Sequence, residues 1–250
     1  PLVRKRAAGV ADVTASLRAW RDLDTMGPMT QMSTPSPQPS ASSPMQVGPH
    51  ELSVVGVVAI SRTAACTRYA KDADRAPQMS ARIDLLRMSA WEVSSFDRVV
   101  ALASAHGIDA AGAAGRFTDV LGDFDERLRP LDWAERLVKT YIAFGLLIDF
   151  GMALSDSLTE PLRGGLIDEL GEDPISSYAV AELEAAISAD PQLAARLGLW
   201  CRRVVGEEIG TFQRLLGQFP ELLGSMGPEQ LHTVLSQGAV SRMKGLGLRV

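Results

Sequence analysis

The sequence predicts an all-α protein, because its composition and its periodicity both favour helices and leave little room for strands. Ala, Leu, Arg and Glu dominate the 250 residues, 46% of which are hydrophobic, and alternating β-branched runs are nearly absent. Apolar residues recur three or four positions apart along several segments of about 20 residues. The chain therefore has enough apolar residues to bury a sizeable helical core.

Net charge, the length of the apolar runs and the cysteines indicate which partners and which compartment to expect. The net charge of −5 and the pI near 5.3 give no support to broad electrostatic binding of nucleic acid or of an anionic membrane. The longest apolar run, Tyr141–Leu154, is interrupted and falls short of the ~20 residues of a membrane span. Cys66 and Cys201 lie far apart and are expected to be reduced thiols. These features favour a cytoplasmic protein without a membrane partner.

Residues 1–47 differ in composition from the remainder. Ala11–Leu23 has the spacing of a short amphipathic helix, and residues 25–49 are rich in Pro, Ser and Met. The sequence predicts a disordered or weakly helical N-terminal extension followed by a Pro/Ser-rich linker, and a helical domain over residues 48–250. The alternative is that residues 1–47 act as a tether that docks its Trp20 face on a partner.

Helix start and stop signals divide residues 48–250 into long helices. Gly107 is expected to end one helix, and Asp132 and Asp190 to cap the beginning of two others. The helix after Asp132 is apolar on nearly all sides and should be central. The predicted segments are Glu51–Asp74, Gln78–His106, a short helix within Ala110–Leu121, Trp133–Leu158, a region from Leu166 to Ser188 broken at Asp173-Pro174, a helix from Pro191 to about Leu216, and Pro228–Lys244.

Two of these helices carry charged residues inside their apolar stripes. Leu85, Met88, Glu92, Ser95 and Val99 fall on one helix face, so a carboxylate and a hydroxyl occupy core positions. Arg62 interrupts the stripe of the preceding helix in the same way. A buried carboxylate requires a metal, a cation or hydrogen-bond donors, and the identity of that partner decides between enzyme and non-enzyme.

The long helices, the hairpin pairs and the inward polar residues are typical of a ferritin-like four-helix bundle with additional C-terminal helices. Particular runs resemble the bacterial family of ferritin-like fold proteins that includes the MiaE-type tRNA hydroxylases. The resemblance covers residues 46–250, and the runs that carry it are YAKDADRAP, MSAWEVSSFDRV, LDWAERLVKTYI, AELEAAISADPQLAARLGLWCRRVVGEE and SRMKGLGL.

The resemblance implies a di-iron site with a Glu from each of two helices and a Glu-x-x-His pair from each of the other two. Only two of the six corresponding positions are acidic here, and neither histidine is present, so the resemblance implies a degenerate site. The corresponding residues are Arg62, Glu92 with Ser95, Phe144, and Glu172 with Ile175. Elsewhere, none of His50, His106 and His232 follows an acid by three residues within a core helix.

A cation can take the place of lost metals. We hypothesise that Arg62 forms a buried ionic cluster with Glu92 and with one or more of Asp149, Glu172 and Glu207. One alternative is that Arg62 extends along an exposed helix edge into solvent. Another is an all-carboxylate site for Mg²⁺, Ca²⁺ or Mn²⁺, which would add Glu208 to these acids.

Three functions remain open from the sequence. The incomplete ligand set favours a binding or scaffold protein that has lost di-iron catalysis, needs no cofactor and is not an enzyme. The first alternative is a di-iron or other metal monooxygenase acting on modified tRNA, a substrate implied by resemblance only. The second alternative is a structural component that acts through self-association or a protein partner. Basic residues between Arg202 and Arg249 could form a patch for RNA, but acidic neighbours favour a solvated mixed face.

Overall fold

A computed structural model describes residues 47–121 and 128–250. Every regular element in these two ranges is helical, as the sequence predicts. The helices, in chain order, are α1 (Pro49–Arg75), α2 (Met79–Ala105), α3 (Ala110–Gly115), α4 (Thr118–Leu121), α5 (Trp133–Ser155), α6 (Leu162–Gly171), α7 (Pro174–Ala189), α8 (Pro191–Gln218), a 3₁₀ turn (Pro220–Leu223) and α9 (Pro228–Gly245).

Local signals explain where these helices begin and end. The Asp132 carboxylate accepts a hydrogen bond from the backbone N–H of Glu135 at 2.9 Å, and Asp190 accepts two such bonds at the start of α8. After α2, Gly107 adopts φ +74°, a left-handed conformation that glycine takes without steric cost. The predicted caps are confirmed, and the predicted helix bounds agree with the structure to within a few residues.

The bundle is made of four helical segments that surround one core. Helices α1 and α2 form a hairpin, α5 packs against α1, and α6 closes the ring between α5 and α2. The fourth segment continues as α7 after the break at Asp173-Pro174. The additional C-terminal helices α8 and α9 pack on α5 from the other side. This is the predicted ferritin-like arrangement with extra C-terminal helices.

Helix α5 is enclosed on nearly all sides. Among the described helices it alone is long and apolar enough by composition to cross a membrane. However, 83% of its most apolar stretch of 18 residues is buried inside the fold. A core helix of a folded protein has the same composition, so this property reflects its central place. The predicted N-terminal extension and linker fall almost wholly on residues 1–46, which lie outside the described residues.

Candidate functional site

An ion pair lies at the centre of the four-helix bundle. Arg62 on α1 donates from Nη1 to Oε2 of Glu92 on α2 at 3.2 Å. The two side chains are only 3% and 2% exposed, so solvent screens their interaction very little. Because inward positions of neighbouring helices face each other across the core, the stripe pattern of α1 and α2 brings these two charges together. Arg62 does not extend into solvent.

The Glu92 carboxyl is held in an unusual electrostatic environment. Desolvation by burial raises its pKa, Arg62 acts against this, and the result is a pKa of about 7 instead of the ordinary value near 4.5. The nearby Asp173 adds to the rise. A single guanidinium N–H therefore compensates only part of the cost of burying this charge. Glu92 can gain or lose its proton near neutral pH.

Arg62 has capacity for further hydrogen bonds. Its Nε and Nη2 atoms are buried and have no hydrogen-bond partner among the described residues. The guanidinium carbon lies 6.0 Å from the centre of the Trp91 ring, within the range of a cation–π contact. A cavity of about 10 Å³ adjoins Arg62 and Glu92 and is lined by Tyr69, Phe144 and Leu147 among others. That volume is close to the space that one water molecule requires.

Glu169 on α6 is a second carboxylate that contacts α2. Glu169 accepts hydrogen bonds from Ser95 Oγ at 2.9 Å and from Arg98 Nε at 2.7 Å. Desolvation by burial acts to raise the pKa of Glu169, but these two hydrogen bonds outweigh it and lower the pKa below its ordinary value. Sequence reasoning missed Glu169. The available signal was the four-residue spacing of Leu162, Leu166 and Leu170, which places Glu169 at the edge of the buried face.

Aromatic side chains occupy the α5 side of the centre. Phe144 is 5% exposed, and its ring lies 5.7 Å from that of Tyr69 at a tilt of 58°. Both rings line the small cavity beside Arg62 and Glu92. Phe144 thus fills volume in the core and offers no ligand atom to a metal. Burial, followed by the nearby charge of Glu92, raises the pKa of Tyr69 well above its ordinary value, so this phenol stays neutral.

Glu172 and Ile175, the positions that correspond to an acid-x-x-His pair by resemblance, do not share a helix face. Glu172 is exposed and follows α6 in an extended conformation, with φ −83° and ψ 109°. Ile175 belongs to α7 and is fully buried in the apolar core. Residues three apart share a face only within one continuous helix, and the chain is broken between these two residues. Glu172 therefore lies outside any cluster with Arg62.

The other proposed members of the cluster also lie elsewhere. Asp149 on α5 accepts two hydrogen bonds from Arg242 on α9, one of them at 3.0 Å. Glu207 is half-buried on α8 and, in the part of the chain that the structure covers, no ion pair joins it to Arg62. The ionic centre is therefore smaller than expected. Arg242 is thereby committed to a mostly buried pair and contributes little to a basic surface patch.

The donor atoms near the centre do not match a di-iron site. Such a site uses four carboxylates and two imidazoles, whereas Glu92 and Glu169 are each paired with an arginine. The histidines have other contacts: His50 bonds the Glu221 backbone and Ser157, and His106 bonds the Leu102 carbonyl. No group of three or more His, Cys, Asp or Glu side chains suited to a metal occurs within 47–121 and 128–250.

A second buried polar cluster joins α1 to α5 at some distance along α1. Asp72 is fully buried and accepts hydrogen bonds from Arg68 Nε at 3.0 Å, Arg136 Nη1 at 3.1 Å and Thr140 Oγ1 at 2.5 Å. Nearby, Lys139 donates to the Leu128 carbonyl at 2.8 Å, and burial lowers its pKa to about 8. Of these residues, Arg68, Lys139 and Thr140 border a cavity of about 200 Å³ between α1, α4 and α5.

Comparisons with known proteins agree on the fold. A family model described as a ferritin-like domain of actinomycetes matches residues 50–226. A solved structure titled Protein 19 with aldehyde deformylating oxidase activity, from Synechococcus, is similar with a TM-score of 0.60 and 17% sequence identity, over 80% of this chain and 92% of that one. No curated protein matches the sequence. At this identity the structural likeness concerns the fold alone.

Proposed function

This chain belongs to the family of ferritin-like domains of actinomycetes, and from that premise we propose that it is a metal-independent binding or scaffold protein with a degenerate di-iron site. The observation that carries the proposal is the buried pair of Arg62 and Glu92. A guanidinium at the centre of the bundle places one positive charge beside the one carboxylate that remains there, where a di-iron protein holds two dications among four carboxylates.

The chemistry of the neighbouring side chains supports the same proposal. Metal ions bind deprotonated oxygen and nitrogen atoms, and a guanidinium beside the carboxylate repels a cation electrostatically. Glu92 would have to give up Arg62, and Glu169 would have to give up Arg98, before either could act as a ligand. Phe144 and Ser95 would contribute at most one hydroxyl oxygen. Tight metal binding is therefore not expected.

The alternative is a di-iron monooxygenase of the MiaE type that acts on modified tRNA. The name of the similar Synechococcus structure indicates an oxidase, but that activity is stated of a protein with only 17% sequence identity. The donor set described above weighs against di-iron chemistry in this chain, and the pairing of Arg242 with Asp149 takes one residue out of the basic patch that could hold RNA. The binding or scaffold function is therefore our conclusion.

Metal content distinguishes the two functions. The full chain is purified from cells grown with added iron, without chelators, and metals are measured by mass spectrometry alongside a known di-iron protein prepared identically. We expect less than about a tenth of an iron per chain and no ultraviolet absorption from a di-iron centre. About two irons per chain, lost when Glu92 is changed to Ala, would overturn the proposal.

A charge variant sharpens the test. In Arg62→Glu a carboxylate replaces the central cation, as at the corresponding position of a di-iron protein. Arg202→Glu, on the exposed side of α8, is the matched control outside the centre. If Arg62 is what excludes cations, Arg62→Glu should gain Mn²⁺ or Fe²⁺ binding by calorimetry and Arg202→Glu should not. Equal metal binding by the wild type and Arg62→Glu would show that Arg62 has no such role.

A further inference from the structure

The outward face of α2 carries a continuous apolar seam. Eight large hydrophobic residues are exposed in the described ranges, and four of them lie on this face: Met79, Ile83, Leu86 and Val93, with exposures of 66%, 41%, 48% and 50%. Ala90, also exposed, completes the row. Solvent-exposed apolar side chains scattered singly are ordinary, but a contiguous row of them marks an interaction surface.

The spacing of these residues is that of a helix-pairing seam. Steps of four, three, four and three residues keep all five side chains within about 80° of one another around the helix axis. This alternation of three and four is the a and d pattern by which two helices pack side by side. The seam is about 21 Å long, from a rise of 1.5 Å per residue. Glu92 and Ser95 lie on the opposite side of α2 and face the core.

We propose that a second copy of this chain occupies the seam, with the two α2 helices packed antiparallel about a two-fold axis. The inference goes beyond the proposed function and does not rest on it, because the seam and the central ion pair lie on opposite faces of α2. Two-fold pairing is the commonest symmetry of homo-oligomers and requires a patch that matches itself. In an antiparallel alignment Ile83 lies opposite Val93 of the second copy, and the large Leu86 lies opposite the small Ala90.

The charged residues beside the seam favour a second copy of this chain as the partner and an antiparallel direction of packing. Arg82 and Arg87 flank the N-terminal half of the seam, whereas the exposed Asp97 lies in line with it just beyond Val93. Antiparallel packing brings Arg82 within about one helical turn of the Asp97 of the second copy, while parallel packing sets like charges side by side. Arg98 adds little positive charge at that end, because it is paired with Glu169.

Existing contacts of these arginines do not prevent the pairing. Arg82 bonds Asp74 at 2.8 Å and Arg87 bonds Asp84 at 3.2 Å, and all four side chains are 42% exposed or more. Exposed ion pairs of this kind contribute little to stability, so the arginines can exchange or share partners at low cost. The seam itself is apolar and gains by leaving water.

Sedimentation equilibrium of the full chain, over a range of micromolar concentrations, tests the proposal. We expect a monomer–dimer equilibrium, weakened at least about tenfold by Leu86→Glu, which buries a charge in the middle of the seam. Leu199→Glu is the matched control, since Leu199 is 65% exposed on α8 and should leave the equilibrium unchanged. Circular dichroism melting verifies that both variants remain folded.

Two further variants test the orientation. Arg82→Glu and Asp97→Arg should each weaken the dimer several-fold, and the double variant should restore it, because antiparallel packing places residue 82 within about one helical turn of residue 97 across the two-fold axis. A wild-type chain that stays monomeric at all concentrations would overturn the proposal. This holds also if residues 1–44 of the same chain prove to occupy the seam. A dimer that survives Leu86→Glu, or single charge variants that have no effect, would overturn it too.

Discussion

Two buried acids that pair with arginines of α1 differ in how fully they are satisfied. Asp72 accepts hydrogen bonds from Arg68, Arg136 and Thr140, so both carboxylate oxygens are used. Glu92 accepts one hydrogen bond, from Arg62, and its pKa rises to about 7. The number and geometry of the donors decide how much of the desolvation cost of a buried carboxylate is offset, and Glu92 has one donor where Asp72 has three.

The difference indicates two roles. The Asp72 cluster is a structural connection, because its donors come from α1 and α5 and hold these helices in register. The Arg62 and Glu92 pair is electrostatically incomplete, with two guanidinium nitrogens that no described residue satisfies. An incomplete polar centre contributes little to stability and persists where ancestry or function keeps it in place.

The largest loss of stability is expected from Asp72→Asn. The amide keeps the shape of the carboxyl but removes its charge, which weakens the buried pairs that Asp72 makes with Arg68 and Arg136. We expect a loss of about 3–5 kcal/mol in the free energy of unfolding, measured by urea denaturation at neutral pH. Asp74→Asn, at an exposed ion pair on the same helix, is the control and should change it by less than about 1 kcal/mol. Equal effects of the two would contradict a structural role for Asp72.

The stability of the wild type relative to Glu92→Gln should fall as the pH rises, whereas an ordinary salt bridge makes the wild type more stable as the pH rises. The folded-state pKa of about 7 lies above the unfolded value near 4.5, so the folded protein holds this proton more tightly. The stability that protonation contributes is complete in acid and is lost as the pH rises through about 7. Between pH 5 and pH 7 the wild type should lose about 2 kcal/mol relative to Glu92→Gln, measured by urea unfolding at each pH. A gain by the wild type over this range would show that Arg62 dominates burial.

Arg62→Met should destabilise the protein mainly above neutral pH. Near pH 5.5 Glu92 is already protonated, so loss of its cationic partner costs little and also removes two unsatisfied buried N–H groups. The difference in the free energy of unfolding between the variant and the wild type should be about 1–2 kcal/mol less favourable to the variant near pH 8 than near pH 5.5. The comparison uses thermal melts at the two pH values, with Arg163→Met as an exposed control. A loss that is the same at both pH values would mean that Arg62 acts through packing alone.

The smallest effect is expected from Glu169→Gln. Glu169 is 17% exposed and its partner Arg98 is 47% exposed, so solvent screens the pair and its loss should cost less than about 1 kcal/mol. Because the pKa of Glu169 is lowered, the wild-type advantage is present above the unfolded pKa and disappears as the pH falls through the folded value. Denaturant unfolding at pH 7 and at pH 4 measures both points. An advantage that grows in acid would contradict the assigned ion pair.

Much of the fold follows from local signals in the sequence. The caps Asp132 and Asp190, the left-handed Gly107 and the break at Asp173-Pro174 each act on a few neighbouring residues, so the helix bounds could be predicted closely. The apolar character of α5 predicted its central place. The same reasoning placed Arg62 and Glu92 on the inward faces of α1 and α2, because a periodicity of 3.6 residues assigns each side chain to a helix face.

The partners of the acids beyond the first helix pair could not be predicted in this way. Asp149 lies on α5 in register with core residues, yet its partner is Arg242, which comes from an added C-terminal helix. Periodicity describes one helix at a time and does not specify which helix packs on a given face. The seam on α2 was visible in the sequence, but five apolar residues at that spacing are equally consistent with a second buried face.

The sequence by itself determined the helical class and the ends of the helices, and it placed Arg62 and Glu92 within the apolar stripes of α1 and α2. The tertiary structure alone decided that Glu169, in place of Glu172, faces Ser95, and that Asp149 and Glu207 are not partners of Arg62. The physical reason is that capping and periodicity are short-range properties of the chain, whereas the pairing of buried charges depends on how α6, α8 and α9 rotate and pack against α5 and α2.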